Sequence, residues 1–134
     1  MISVRTQIER WELVEPFTTA RDSLTHVPVL LVTLVGRDGA RGWAEAAGVD
    51  YDGETPATMA TQITSVQDAL HDGITGQELL HLLPAGGARN ALDCALWDLR
   101  AKQTGVDAWR TAGLALPRPV MTAFTIGLGS EADV

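Results

Sequence analysis

The sequence is poor in positive charge. Lysine and arginine together number 10 against 17 aspartates and glutamates, which gives the 134-residue chain a net charge of −7. The basic residues form no run anywhere along the chain. A surface that binds nucleic acid needs clustered positive charge, so we expect no nucleic acid among the partners of this protein.

Cysteine and long apolar runs are also scarce. The single cysteine, Cys94, cannot form a disulfide within the chain, and this predicts a reducing, cytoplasmic location. The longest apolar stretch, residues 27–35, is interrupted by Pro28 and Thr33 and is far too short to cross a bilayer. The first residues lack the basic and apolar regions of a signal peptide. We therefore expect neither a signal sequence nor a membrane partner.

The signatures of several catalytic and metal sites are missing. The sequence has no glycine-rich phosphate loop, no Cys/His metal spacing and no nucleophile elbow. Its histidines, His26, His71 and His81, lie far apart in the sequence. The acidic residues within 50–54 lack the spacing of an EF-hand and are interpreted as a solvated loop. The sequence thus predicts no catalytic residue and no metal ligand in this chain.

The first third of the chain is patterned as β-structure. Alternation of apolar and polar residues over 2–13 predicts a strand with an irregularity near Gln7, and a β-branched apolar run predicts a second strand over 26–35. Hairpin residues at 37–39 lead into a third, antiparallel strand over 41–47. The remaining stretches, 16–25 and 48–54, are predicted to be loops.

Helices are predicted from Thr55 onward. Thr55 suits an N-cap, and apolar spacing predicts one helix running from Pro56 to Gly73. A capping box at 75–78 starts a short helix that ends near Leu83, and Asp107 caps one further turn. Strands followed by helices, without alternation, predict an α+β fold with a three-stranded antiparallel meander and a helical bundle.

The run 82–102 predicts a long helix that is apolar on two faces. Its narrow polar edge consists of Arg89, Asp93 and Arg100, and the spacing of four predicts the ion pairs Arg89–Asp93 and Asp98–Lys102. One apolar stripe consists of Ala88, Ala91, Leu92, Ala95, Leu96 and Leu99, and the nearly opposite stripe of Cys94, Trp97 and Ala101. A helix that is apolar all round is buried between two bodies. The rest of this chain can supply one of them, and something else must supply the other.

The segment ARNALDCALWDLRAK resembles the last large helix of the capping domain in the enolase superfamily. The resemblance is greatest to the branch that contains muconate cycloisomerases and dipeptide epimerases. It implies a capping domain over residues 1–116 and the start of a (β/α) barrel over 117–134, with its first strand at 119–126. A complete barrel takes about 250 residues, whereas only residues 103–134 follow the segment, so most of the barrel is expected to be absent from this chain.

The same resemblance assigns substrate-binding roles to residues in the first predicted loop. Residues 16–23 resemble the first specificity loop of the family, in which an arginine at the place of Arg21 pairs with the side-chain carboxylate of the substrate's glutamate. A guanidinium suits this role because it grips a carboxylate with two parallel hydrogen bonds. Phe17 and Thr19 would line the same pocket. Alternatively, Arg21 is a solvated arginine bonded to Asp22 or to a backbone carbonyl.

Two further contacts are implied elsewhere. Residues 48–54 occupy the place of the second specificity loop, in which Tyr51 would cover the substrate. Thr125 matches a threonine of the first barrel strand that contacts the bound dipeptide; alternatively, it serves only the β-propensity of that strand.

The implied reaction is abstraction of the proton α to a carboxylate. In the family, Mg²⁺ held by three carboxylates stabilises the enediolate and lysines move the proton, all of them on the barrel. Lys102, the only lysine in this sequence, lies at a helix end and is not a candidate base. The chain alone is therefore expected to be inactive. Its expected partners are a dipeptide substrate, the barrel of the same protein and, as an open question, further copies of itself.

Two other functions remain open at this point. The chain could be the same portion of a muconate cycloisomerase or an o-succinylbenzoate synthase, which would differ in substrate preference. It could also be a non-catalytic binding or structural module that has kept the capping fold.

Overall fold

The computed structural model describes residues 1–49 and 52–125 as a three-stranded sheet followed by helices. The strands β1 (Ile2–Thr18), β2 (Ser23–Gly36) and β3 (Arg41–Ala46) form an antiparallel sheet in the order β1-β2-β3. The helices of the described residues are α1 (Pro56–Ser65), α2 (Gln67–Asp72), α3 (Gly76–Leu82), α4 (Gly87–Thr104) and α5 (Ala108–Thr111). The predicted α+β class, with its three-stranded meander and following helices, is confirmed.

The core lies between one face of the sheet and the helices. Leu30, Val32 and Leu34 alternate along the central strand β2, and all three are fully buried because successive side chains of a strand point to opposite faces. The helical side of the core is formed by Met59, Ile63, Val66, Leu70, Leu79, Leu83, Ala88, Ala91, Leu92, Ala95 and Leu99. No helix within 1–49 and 52–125 combines the length and the apolar character that a membrane crossing requires.

Strand β3 packs directly on α4. A side chain at Gly42 would place its Cβ 2.6 Å from the backbone nitrogen of Leu99 and 2.7 Å from its Cβ. At the edge of β3, the Trp43 N–H donates to Asp98 Oδ2 at 2.8 Å, and Lys102 Nζ donates to the same oxygen at 2.6 Å. Burial raises the pKa of the Asp98 carboxyl, but these hydrogen bonds and the lysine charge together lower it below its ordinary value. The predicted Asp98–Lys102 ion pair is thus present.

The two apolar stripes of α4 differ sharply in burial. The first stripe is buried in the core except for Leu96, which is half-buried at its margin. On the second stripe Cys94 is exposed, and Trp97 and Ala101 are only half-buried. A groove of about 600 Å³ runs beside Leu96 and Trp97. The described residues therefore bury one face of α4 and cover the other only in part.

Three local predictions about the strands and helices are wrong. The irregularity of β1 lies at residues 13–16 and not near Gln7, and both strands of the first hairpin extend into the stretch that was predicted to be a loop. The predicted helix 56–73 breaks at Val66. Hydroxyls in the last turns of α1 donate to carbonyls of the preceding turn, as Ser65 does to Gln62 O at 2.7 Å, and such bonds bend a helix.

The predicted Arg89–Asp93 ion pair is also wrong. Nη1 of Arg89 donates instead to the Leu83 carbonyl at 3.3 Å. That carbonyl belongs to the C-cap of α3, where the helix itself offers no partner. The arginine therefore joins the end of α3 to the first turn of α4.

Candidate functional site

The tip of the β1–β2 hairpin, residues 19–22, is held closed by Thr19. The Thr19 N–H donates to the Asp22 carbonyl at 2.8 Å. Its hydroxyl oxygen accepts from the N–H groups of Arg21 at 3.2 Å and Asp22 at 3.3 Å. Because this hydroxyl bonds backbone groups inside the turn, Thr19 fixes the shape of the tip.

Arg21 projects from this ordered tip. It is exposed, and among residues 1–49 and 52–125 its guanidinium has no ion-pair or hydrogen-bond partner. The neighbouring Asp22 carboxylate accepts from the Ser23 N–H at 2.7 Å and not from Arg21. An arginine that is charged, exposed on a fixed turn and without a partner in the described part of the chain can bind a carboxylate from outside the chain.

An insertion in β1 sets the direction of Phe17. Pairing runs without interruption to Glu12↔His26 and resumes at Phe17↔Leu24, so residues 13–16 lie opposite Thr25 alone. This irregularity moves Phe17 onto the same sheet face as Glu12, although the two are an odd number of positions apart. Phe17 is half-buried and faces the same side as its neighbour Leu24, which is 39% exposed. Sequence alternation alone does not reveal this change of face, because it depends on the register with β2.

The second loop lies at the same end of the sheet as the hairpin tip. Strand β3 ends at Ala46, opposite Leu30, whereas β1 and β2 continue past that point as a two-stranded ribbon. The N–H groups of Asp52 and Glu54 both donate to the Val49 carbonyl, at 2.9 and 3.2 Å. Tyr51 lies outside the described residues, so its predicted role stays a prediction.

Glu54 is not part of a solvated acidic loop, contrary to the sequence interpretation. Glu54 is half-buried, and its Oε1 accepts a hydrogen bond from the Gly87 N–H at 2.5 Å. Gly87 is the first residue of α4. Within the described ranges no three His, Cys, Asp or Glu side chains come together as a metal site. These residues therefore do not fit a magnesium ion, and any such ion would need ligands from elsewhere.

The structure describes the predicted barrel strand as far as residue 125, and that part does not form a strand. Residues 119–125 are exposed and form no strand, with Phe124 at 89% exposure. A strand needs a neighbouring strand to satisfy its backbone, and none of the described residues pairs with this segment. Thr125 is exposed in this run, and the structure does not bring it together with the hairpin tip; Ile126 lies outside the described residues.

Comparison with known proteins identifies the fold. Residues 1–113 match the family described as mandelate racemase / muconate lactonizing enzyme, N-terminal domain. The chain belongs to this family. It is 41% identical over 130 residues to the L-Ala-D/L-Glu epimerase of Escherichia coli K12, a match that covers 97% of this chain and 40% of that protein. The chain thus spans about two fifths of the length of that relative.

Solved structures point the same way. An enolase family member from Agrobacterium tumefaciens with homology to dipeptide epimerases, solved with sodium and L-Ala-L-Glu bound, matches with a TM-score of 0.88 and 33% identity over 96% of this chain and 39% of that chain. A dipeptide epimerase from Methylococcus capsulatus, complexed with Mg and L-Arg-D-Lys, matches with a TM-score of 0.62 and 27% identity over 78% of this chain and 32% of that chain. The predicted resemblance to the enolase superfamily and its dipeptide epimerases is confirmed.

Proposed function

We propose that this chain is the N-terminal capping part of a dipeptide epimerase of the L-Ala-D/L-Glu type. On this proposal residues 1–116 form the capping domain, and 117–134 begin a barrel that completes the enzyme. The observation that carries the proposal is the guanidinium of Arg21, which is exposed on a hydrogen-bonded turn and has no partner among the described residues. The 41% identity to the epimerase of Escherichia coli supports it.

Arg21 would bind the side-chain carboxylate of the glutamate in the dipeptide. Two parallel charge-assisted hydrogen bonds would fix the position of that residue as well as supply affinity. Thr19 holds the turn from which Arg21 projects, and Phe17 would line the apolar side of the same pocket. Tyr51 and Thr125 would add further contacts to the substrate.

The chemistry would take place on groups outside this chain. Epimerisation requires removal of the weakly acidic proton α to a carboxylate, and a divalent metal ion supplies charge stabilisation for such a reaction. Lys102 is unsuitable as the base because its ammonium is paired with Asp98 and lies 5.3 Å from the centroid of the Trp43 ring. This chain would therefore bind and orient the substrate, and the chain alone would be inactive.

The open stripe of α4 would be the docking face for the barrel. Cys94, Trp97 and Ala101 lie on the side of the helix that the described residues cover only in part. Burial of this stripe by the barrel would remove apolar surface from water. We further propose a cytoplasmic location, where Cys94 would stay a thiol.

The test is a substrate comparison in the protein translated from the complete reading frame. Arg21→Gln should lower kcat/KM for L-Ala-L-Glu by about 10- to 100-fold, the value of a lost hydrogen-bonded charge pair. It should change kcat/KM far less for L-Ala-L-Gln, whose side chain carries no charge. Arg37→Gln is the matched control, because Arg37 is also exposed and lies in the turn at the opposite end of the sheet.

Either of two results would overturn the proposal. One is an Arg21→Gln enzyme that keeps wild-type kcat/KM for L-Ala-L-Glu. The other is a wild-type enzyme that converts a muconate or forms o-succinylbenzoate and leaves every dipeptide untouched.

A further inference from the structure

At the end of the connection between β3 and α1, two adjacent residues each accept a hydrogen bond from the N-terminus of a different helix. Thr55 is the N-cap of α1, and its hydroxyl oxygen accepts from the Thr58 N–H at 3.2 Å. Glu54, immediately before it, accepts from the Gly87 N–H at the start of α4. Residues 54 and 55 therefore fix this end of the connection to α1 and α4 at once.

Helix α4 depends on Glu54 for the negative charge at its N-terminus. Its N-cap, Gly86, has no side chain to offer, and its first turn contains no acidic residue. A carboxylate near the first N–H groups of a helix is favoured by the helix dipole and satisfies an otherwise unpaired donor. Here that carboxylate comes from a residue more than thirty positions earlier in the chain.

Glycines on both sides leave room for this contact. A Cβ at Gly86 would lie 2.5 Å from Glu54 Oε1, and one at Gly87 would lie 3.2 Å from Glu54 Oε2. The other end of the connection is equally close-fitting, since a Cβ at Gly48, where φ is +82°, would collide with the Glu54 carbonyl oxygen. At each of these three glycines a side chain would press on Glu54, so their small size is consistent with one fixed position for Glu54.

We propose that Glu54 is a positioning residue for substrate binding, a role that rests on the proposed epimerase function. It holds the end of the connection after β3 against α4, at the same end of the sheet as the hairpin that carries Arg21, and so keeps this edge of the substrate site in place. It does not touch the substrate. Its loss should therefore weaken binding and leave the chemical step unchanged.

The experiment uses the full-length enzyme and L-Ala-L-Glu. Glu54→Ala should raise KM by about 10-fold, the value of a hydrogen bond to a charged group, and should leave kcat within about twofold. Glu54→Gln retains an acceptor oxygen and should restore most of the affinity. Asp52→Asn is the matched control, because Asp52 is an exposed acid of the same connection and its side chain bonds none of the described residues.

Gly87→Ala gives a second test, in which Glu54 keeps its carboxylate but the contact with α4 is disturbed. The added Cβ would lie 2.5 Å from Met59 Sδ, whose flexible side chain can move, and would press on Glu54 Oε2. KM should rise as it does in Glu54→Ala, and the two changes together should raise it little further.

The outcomes separate this inference from the proposed function. A wild-type enzyme without dipeptide epimerase activity would refute the proposed function itself. An active wild type whose Glu54→Ala variant melts at a lower temperature but keeps its KM would show a purely structural glutamate and overturn the inference. Failure of Glu54→Gln to restore KM would overturn it as well.

Discussion

Gly42 is a residue at which β3 and α4 are in direct contact. Backbone and side-chain atoms of Leu99 occupy the space that a Cβ at this position would need. Gly39, in the turn between β2 and β3, has open surroundings and a φ of +82°. The two glycines therefore serve different physical needs, one for close packing and one for a left-handed backbone.

Alanine substitutions at Gly42 and Gly39 should distinguish the cost of lost close packing from the cost of a left-handed backbone. Gly42→Ala should lower the free energy of unfolding by about 3 kcal/mol, because β3 and the backbone of α4 must move apart. Gly39→Ala should cost about 1–2 kcal/mol, the strain of a left-handed alanine. Urea denaturation of both variants measures the difference, and equal losses would contradict the direct contact between β3 and α4.

At the scale of secondary-structure elements, Asp98 on α4 joins this helix to β3. Its carboxylate bonds the backbone of one element and the side chain of the other, and its pKa is lowered below the ordinary value of 3.8. A group whose pKa is lower in the folded state adds stability above its unfolded pKa and loses that contribution as the pH falls. The charge on Asp98 should therefore stabilise the chain near neutral pH and not in acid.

Asp98→Asn tests this pH dependence. The variant should be less stable than wild type by about 0.5–1 kcal/mol at about pH 7, a modest value because the ion pair is partly exposed. The difference should shrink as the pH falls through the lowered pKa of Asp98, since the wild-type aspartate then becomes protonated. Urea unfolding over a pH series that runs from neutral into acid gives the comparison. A difference that persisted in acid would show that the carboxylate charge is not what stabilises this contact.

Elements that rest on local sequence were predictable. The turn at 37–39, the capping box that starts α3 and the buried stripe of α4 each follow from residues close together in the chain. The insertion at 13–16, the break at Val66 and the bond from Gly87 to Glu54 depend on register or on residues far apart in sequence. Pattern alone could not reveal them. For the site, the resemblance predicted Arg21 in a loop, but only the structure reveals the turn that holds it.

At the scale of the whole molecule, one side of α4 is buried in the core and the other side is only partly covered. Its second stripe, with Cys94 exposed, faces away from the core of the described residues. The chain covers 40% of the length of its relative in Escherichia coli, and on the proposed function a barrel would pack against this second stripe. The accessibility of this face would therefore report directly on that packing.

Labelling of Cys94 measures that accessibility. A maleimide should react readily with Cys94 in the 134-residue chain, and at least about tenfold more slowly in the native full-length protein, where reaction requires opening of the interface. Mass spectrometry of the peptide that contains Cys94 gives both rates, and the denatured full-length protein serves as the control. Equal rates in the two native proteins would rule out burial of this stripe by the barrel.

On the proposed function, the complete protein epimerises a glutamate-containing dipeptide. Proton NMR of L-Ala-L-Glu, incubated in D₂O with Mg²⁺ and the protein translated from the complete reading frame, tests this directly. We expect deuterium to replace the α-proton of the glutamyl residue while L-Ala-D-Glu accumulates. An α-proton signal that persists unchanged, with a correctly folded and metal-loaded enzyme, would contradict it.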